Sequence, residues 1–416
     1  MQPPTIDPSE LRRRSPGRLA VRVRPSAERA IRSGHPWLFQ EAITSVDDGG
    51  EPGDVAVVLD RDDHPLASGL YDPESPIRVR LLLHGEQAEI GQALFRGRIA
   101  EALGHRGNVA SAQTTAFRVL NGGGDRMPGL VADLYDRTLV LQAFSSAWLL
   151  HMGDVVAAFE QLLAPERVLL LVGDLVARGE ACPPLLRDGA VLRGSDAPDG
   201  IAFLETGLRF RAHPFRGHKT GFYLDQRANR RRVGRESAGA RVLNLFSYTG
   251  GFSLHAARGG ALEVVSVDQA APALAQAERH FELNRADAAV SACRHRTIEG
   301  DAFEVMARMA EAGESFDVVV VDPPSFARAA RHRSRALGAY RALTRLAVPL
   351  VRSGGLLVQA SCSSRIGAGE FQGTVEDEVR RRGRSADAVE YSGHAPDHPT
   401  RFPEGEYLKC VWARLA

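Results

Sequence analysis

The chain has little of what marks a secreted or membrane protein. Of its 416 residues only four are cysteine (Cys182, Cys293, Cys362 and Cys410), and no two of them are in Cys-x-x-Cys spacing. That pattern offers neither a disulfide framework nor the paired thiolates of a zinc site, so no metal is expected. It fits a reducing, cytoplasmic setting. No apolar run is long enough to span a bilayer, so no membrane partner is expected. Residues 1–18 are rich in Pro, Ser and Arg and lack the apolar stretch of a signal peptide. They read as a disordered lead-in. Net charge is also scarce. The 52 Lys and Arg against 51 Asp and Glu leave +1, which gives no global field for nucleic acid. The Gly-x-Gly-x-x-Gly fingerprint of dinucleotide dehydrogenases is missing, and there is no repeat of fixed period.

What is present is apolar substance and local charge. Hydrophobic residues make up 44% of the chain, enough for a sizeable core, and the length fits two to four domains. Arginines crowd three stretches. The first holds Arg12, Arg13, Arg14, Arg18, Arg22 and Arg24. The second holds Arg227, Arg230, Arg231, Arg232 and Arg235, and the third Arg328, Arg331, Arg333 and Arg335. Such runs are commonly solvated faces, but three in one chain also fit an RNA backbone.

Residues 19–92 read as a small barrel. Short β-like runs such as 55–59 and the alternating 77–81 are punctuated by Gly and Pro, with one helix at 26–33. Residues 93–212 read as an α+β unit. It has helices near 90–103 and 147–163, strands near 117–120, 130–133, 139–144, 168–172 and 201–205, and a hairpin at 208–212. From 213 to 416 strands and helices alternate. Strands are expected at 241–247, 263–268, 295–299, 317–322, 355–362, 387–392 and 408–415, with helices in the intervals up to about 382. This is an α/β, doubly wound, mostly parallel sheet whose last two strands close as a hairpin, so the final strand is antiparallel.

The chain is organised around Val242-Leu-Asn-Leu-Phe-Ser-Tyr-Thr-Gly-Gly-Phe-Ser253, an apolar strand running into a Gly turn and then a helix. That is the local form of a nucleotide-type cofactor site. Ligands of such sheets bind at the carboxyl ends of the strands. Each successive strand end here carries an informative residue: Phe246 to Gly251, Asp268, Asp301, Asp322 and Cys362. Asp268 stands where a carboxylate can hold a ribose. Asp322-Pro-Pro-Ser-Phe326 sets a rigid carboxylate beside the cofactor, and Phe326 offers a stacking face for a base. Cys362 ends the strand expected to neighbour that of Asp322 and is flanked by Ser361 and Ser363. A thiolate there could attack an electron-poor carbon of a base. Cys182, Cys293 and Cys410 read as small buried hydrophobes. The stretch from His213 to Arg227 is either a charged helix entry or a cofactor lid.

Together these residues resemble the bacterial 23S ribosomal RNA large subunit methyltransferase I family. The motifs are Ser33-Gly-His-Pro-Trp-Leu-Phe39, Asp125-Arg-Met-Pro-Gly-Leu-Val-Ala-Asp133, Lys219-Thr-Gly-Phe-Tyr-Leu-Asp-Gln-Arg227 and the Asn244 to Ser253 stretch. Asp322 to Phe326, Ser361-Cys-Ser363 and Pro403-Glu-Gly-Glu-Tyr-Leu-Lys409 complete the set. The chain departs from the pattern at Gly123, Arg126, Ser325 and Ser364-Arg365. The resemblance implies a PUA barrel for RNA, a central α+β domain and a class I methyltransferase domain using S-adenosylmethionine. It also implies a reaction, formation of 5-methylcytosine in 23S rRNA. Phe246, Ser247, Tyr248 and Gly250 are then expected at the methionine and ribose end of the cofactor, and Asp268 at the ribose. Asp301 and Ala302 fall at the adenine, Asp322 at the transferred methyl, and Gln226 among the cofactor ligands. Cys362 is the implied nucleophile, with Lys219, Arg227 and Phe326 on the substrate. A homodimer stays open.

Two other readings compete. Methylation of a base nitrogen, for example of guanine, uses a similar Asp-Pro-Pro motif but needs no thiol. A non-catalytic RNA-binding assembly factor would need none of the strand-end acids.

Overall fold

The computed structural model describes residues 3–12, 14–47, 49–85, 88–326 and 333–416. The chain forms two compact units. The first comprises Met1–Leu204, Arg211–Leu224 and Pro396–Phe402, and the second Glu205–Phe210, Asp225–Ala395 and Pro403–Ala416.

In the first unit, strands β1 (Arg18–Val23), β2 (Trp37–Phe39), β3 (Ile43–Val46), β4 (Val55–Leu59), β5 (Pro65–Tyr71) and β6 (Ile77–His84) form one sheet. Its order is β2-β6-β5-β4-β1-β3. All described ladders are antiparallel except β1 with β4. Val21, Ala56, Val58, Val79 and Leu81 alternate inward and fill its core. A second sheet, of order β11-β10-β9-β8-β7, takes β7 (Ala116–Asn121), β8 (Leu130–Tyr135), β9 (Thr138–Ala143), β10 (Arg167–Val172) and β11 (Ala190–Arg193). The helices Gln92–His105 and Met152–Leu163 pack with it around Phe95, Trp148 and Phe159.

Two expectations fail here. The stretch 147–163 is not one helix, because Ser146–His151 is a 3-10 segment and the α-helix begins only at Met152. Ser145 Oγ accepts the N–H of Ala147, and this cap tightens the first turns. The described residues of the lead-in are tied down as well. Ile6 and Leu11 are buried in the core, and the backbone of Pro4 to Ile6 bonds to Val191 on β11. Two apolar residues and a free strand edge suffice to tie down a segment that composition alone marks as loose.

The central motif is structural in this unit. Asp125 and Asp133 are buried against Arg106 and Arg118, with N–O distances of 2.5–2.9 Å. A Cβ at Gly123 would come 2.6 Å from the Phe402 ring, so the space a side chain would need is filled.

The chain passes between the units within a two-stranded sheet, β12 (Ile201–Glu205) and β13 (Leu208–Ala212). The second unit is built on seven strands. They are β14 (Arg241–Leu245), β15 (Glu263–Asp268), β16 (Arg294–Glu299), β17 (Phe316–Val321), β18 (Val351–Ser361), β19 (Ala386–Ser392) and β20 (Lys409–Leu415). Their order is β16-β15-β14-β17-β18-β20-β19. The first five are parallel, and β20 inserts antiparallel between β18 and β19. Val318 to Val321 on central β17 are all buried, as a parallel strand covered on both faces requires. Among the described residues no helix is long and apolar enough to cross a membrane.

Candidate active site

The site is assembled at the carboxyl ends of β14, β15, β17 and β18. After β14 the backbone turns sharply. Phe246, Tyr248 and Gly250 all take positive φ, at 58°, 46° and 73°. Two non-glycine residues in the left-handed region cost of order 1–3 kcal/mol each and persist only where the surroundings hold them. Here the Ser247 N–H donates to Val267 (2.9 Å), the Tyr248 N–H to Asp268 Oδ2 (2.8 Å), and the Gly250 N–H to Ser247 O (2.9 Å). Gly250 has no alternative. A Cβ there would lie 2.7 Å from Cβ of Ala277, and its φ disfavours any side chain. The turn delivers the chain to the N-terminus of the helix Gly251–Arg258.

Asp268 also accepts the Ala270 N–H, so its carboxylate is oriented from two sides. Asp301 caps the helix Ala302–Glu311 through the N–H groups of Phe303 and Glu304, and it accepts from Gln269 at 2.6 Å. Ser247 Oγ and Thr249 Oγ1 are buried with no hydrogen-bond partner among the described residues. Unused buried hydroxyls beside a helix N-terminus, with two oriented carboxylates on the next strands, fit a ligand rich in polar groups such as a nucleoside cofactor.

Asp322 and Cys362 are brought together. The parallel ladder of β17 and β18 pairs Val321 with Gln359, so both strands end on the same side. The Cys362 thiol donates to Pro323 O at 3.7 Å, which turns it to the Asp322-Pro-Pro turn. Asp322 Oδ1 accepts from Gln226 Nε2 at 3.0 Å. Phe326 is half-buried, edge-on to Tyr340 with ring centres 5.2 Å apart. Residues 327–332, and with them Arg328 and Arg331, lie outside the described residues, as does Arg13.

Lys409, to which sequence reasoning gave no role, lies close by. It opens β20 opposite Ser361 and donates from Nζ to Ser363 O (2.5 Å) and Tyr407 O (3.2 Å). Burial lowers its pKa, while Cys362 and Glu406 act to raise it. Its signal was a lone lysine opening an apolar strand. The other thiols are inert by environment. Burial raises the pKa of Cys182, pushes Cys293 up to about 11, and raises Cys410 further still.

The second arginine cluster is largely not a nucleic-acid face. Glu205 is fully buried, and Arg230 grips it at 2.7 and 2.6 Å. Arg227 Nε stands 3.6 Å from it and His255 Nε2 3.0 Å. Burial alone would raise the Glu205 pKa, but the Arg230 charge and the His255 hydrogen bond hold it well below the carboxylate range. The pKa of His255 is lowered, by burial first, with the hydrogen bond and charge of Glu205 opposing and the charges of Arg230 and Arg258 adding to the fall. Arg232 lies over the Trp412 ring at 4.1 Å and pairs with Glu390. Only Arg231 and Arg235 of the cluster are exposed. Arg227, expected on substrate, is buried against Glu205 instead, because a fully buried carboxylate draws the nearest guanidinium groups. Lys219 lies in the first unit with its ammonium 4.4 Å over the Tyr223 ring. In the third cluster, Arg333 pairs with Glu370 at 2.8 Å.

Comparison with known proteins agrees with this geometry. A family model described as S-adenosylmethionine-dependent methyltransferase matches residues 189–412, and one described as a PUA-like domain matches residues 21–83. The chain is 43% identical over 403 residues to a ribosomal RNA large subunit methyltransferase of Deinococcus radiodurans, covering 96% of this chain and 98% of the relative. It is 34% identical to the ribosomal RNA large subunit methyltransferase I of Tolumonas auensis, covering 95% and 98%. Among solved structures, a Streptococcus mutans chain assigned as a SAM-dependent methyltransferase superposes with a TM-score of 0.79 at 23% identity, covering 95% of this chain and 99% of that one. A methyltransferase-type structure complexed with SAH gives 0.79 at 24%, covering 96% and 100%. At these identities the two structures speak for the fold. The cofactor is S-adenosylmethionine, and the chain belongs to the ribosomal RNA large subunit methyltransferase family.

Proposed function

We propose that this protein methylates C5 of a cytosine in 23S ribosomal RNA by transient covalent attachment of the base to Cys362. One observation carries the reading. A thiol and a carboxylate sit at the ends of adjacent parallel strands, with the Cys362 thiol turned to the Asp322-Pro-Pro turn. Methylation of a base nitrogen has no use for that thiol. The relatives are named as ribosomal RNA large subunit methyltransferases, which supports an RNA substrate, and the PUA-like segment and the exposed Arg231 and Arg235 offer surface for an RNA backbone. The domains are read as 19–92, 93–212 and 213–416.

Phe246, Ser247, Tyr248 and Gly250 hold the methionine and ribose end of the cofactor, Asp268 the ribose, and Asp301 with Ala302 the adenine. When bound, S-adenosylmethionine supplies an electrophilic methyl group. Cytosine C5 is too weak a nucleophile by itself. Addition of the Cys362 thiolate at C6 places electron density on C5. The exocyclic amine of the base, and N3 once a proton from solvent has neutralised the charge that addition places there, donate to the Asp322 carboxylate, which stabilises the adduct. After C5 is methylated, loss of its proton expels the thiolate and restores the aromatic ring. Lys409 interacts electrostatically with Cys362, and its charged form would favour the thiolate. A paired base would have to be extruded, or presented in an unpaired loop.

The test is a trap. RNA carrying 5-fluorocytosine cannot lose fluorine as a cation, so the enzyme stays attached once the methyl has been transferred. A denaturation-stable protein–RNA complex that is absent in Cys362→Ala supports the reading. Its absence from the wild-type enzyme under turnover conditions contradicts it.

A further inference from the structure

The carboxylate of Asp322 is the end of a longer chain of hydrogen bonds. Trp412 Nε1 donates to Ser392 Oγ at 2.7 Å. Ser392 Oγ donates to Asn229 Oδ1 at 2.7 Å. Asn229 Nδ2 donates to Gln226 Oε1 at 2.6 Å, and Gln226 Nε2 donates to Asp322 Oδ1 at 3.0 Å. All five residues lie in the second unit. They come from the start of the helix Arg227–Arg235, from β19 and β20, and from the turn that follows β17.

The direction of the chain is fixed by groups that cannot change role. An indole N–H only donates, and an ionised carboxylate only accepts. Between these ends, Asn229 Nδ2 also faces the Gly393 carbonyl at 3.5 Å, another acceptor only. The two amides therefore cannot flip without setting like groups against each other. Asn229 and Gln226 are buried, so no competing water resets them. At the far end the Arg232 guanidinium, 4.1 Å over the indole, draws on its electron density and strengthens the N–H as a donor.

We propose that Trp412, Ser392, Asn229 and Gln226 act as a one-way hydrogen-bond relay that fixes the plane of the Asp322 carboxylate for the reaction. They are positioning residues, acting through Asp322. Gln226, expected on the cofactor, has its amide committed to this chain at both ends. The proposal rests on the reading of Asp322 as the group that meets the reacting base. Sequence inspection could not find the relay, since its members are separated by as many as 186 positions and none belongs to a recognisable catalytic motif except Gln226.

The relay is tested by single-turnover methylation of ribosomal RNA with labelled S-adenosylmethionine. The variants are Ser392→Ala, Ser392→Thr, Trp412→Phe, the double variant Ser392→Ala/Trp412→Phe, and Asp322→Ala. Loss of one neutral hydrogen bond of the relay predicts about a threefold to tenfold fall in rate for Ser392→Ala and for Trp412→Phe, with KM for RNA unchanged. Ser392→Thr keeps the hydroxyl and recovers most of the rate. The double variant is no slower than the slower single one, because both cut the same chain. Should the buried Trp412→Phe variant prove unstable, the Ala and Thr pair at Ser392 decides alone. Wild-type rates in Ser392→Ala overturn the relay, as do equal losses in Ser392→Ala and Ser392→Thr, or losses that multiply in the double variant. If Asp322→Ala is inactive while the relay variants keep the wild-type rate, the relay falls and the role of Asp322 stands. If Asp322→Ala keeps the wild-type rate, both fall.

Discussion

Replacing Glu205 by Gln keeps the shape of the buried hub and removes its charge. Three cationic or titratable groups converge on that carboxylate: Arg230 through two bonds of 2.7 and 2.6 Å, Arg227 at 3.6 Å and His255 at 3.0 Å. Arg230 is 2% exposed and Arg227 7%, so water cannot take over the lost role. Leaving buried guanidinium groups uncompensated costs about 3–5 kcal/mol. With a urea dependence of about 2 kcal/mol per molar, the unfolding midpoint of the second unit falls by about 2 M. Hydrogen exchange of peptides from 225–258, followed through a urea series, reads that unit by itself. The control is Glu282→Gln, which breaks the pair with Arg279 at side-chain exposures of 57% and 47%. It should cost at most about 1 kcal/mol. The hub also anchors the helix that begins directly after Gln226, so Glu205→Gln should slow methylation as well. A midpoint shift for Glu205→Gln no larger than for Glu282→Gln would refute the reasoning.

Three further outcomes follow from the same geometry. Gly250→Ala sets a Cβ 2.7 Å from Ala277 at φ 73°, and should weaken S-adenosylmethionine binding in calorimetry at least tenfold, roughly the effect of 1–2 kcal/mol of left-handed strain plus the clash. Alkylation with iodoacetamide near pH 8, mapped by mass spectrometry, should label Cys362 and leave the buried Cys182 and Cys410 unmodified, since their raised pKa keeps them as thiols. His295, stacked on Phe281 at 3.7 Å and bonded to Ser266, has its pKa pushed down to about 4 by burial from an ordinary 6.5. Because the folded value is the lower one, its contribution is complete above pH 6.5 and is lost as pH falls from 6.5 to about 4. In His295→Gln the stability of the second unit should lose that part of its pH dependence.

The parts of this molecule legible in its sequence are those governed by local pattern. Seven strands of the second unit fall within a few residues of the expected positions, because buried parallel strands such as 318–321 are continuous apolar runs and each ends at a residue that cannot extend them. Asp322 and Cys362 were singled out by address, as the ends of neighbouring strands, and the parallel register does set those strand ends side by side. What stayed hidden depends on partners far apart in the chain. The arginines at 227 and 230 read as a basic face until Glu205, more than twenty positions earlier, is seen between them. Ser392 and Trp412 read as ordinary strand residues until the antiparallel pairing of β19 with β20 sets Ser392 opposite Cys410, two residues from Trp412. The lead-in was misread because composition is blind to two well-placed apolar anchors, Ile6 and Leu11.

The central claim is that Cys362 is the nucleophile of a carbon methylation. Its most direct test is nucleoside mass spectrometry of ribosomal RNA incubated with labelled S-adenosylmethionine and either the wild-type protein or Cys362→Ala. Label is expected in 5-methylcytidine with the wild-type protein and not with Cys362→Ala, whose affinity for S-adenosylmethionine is unchanged. Label in a nitrogen-methylated base, or label at the wild-type rate with Cys362→Ala, would contradict it.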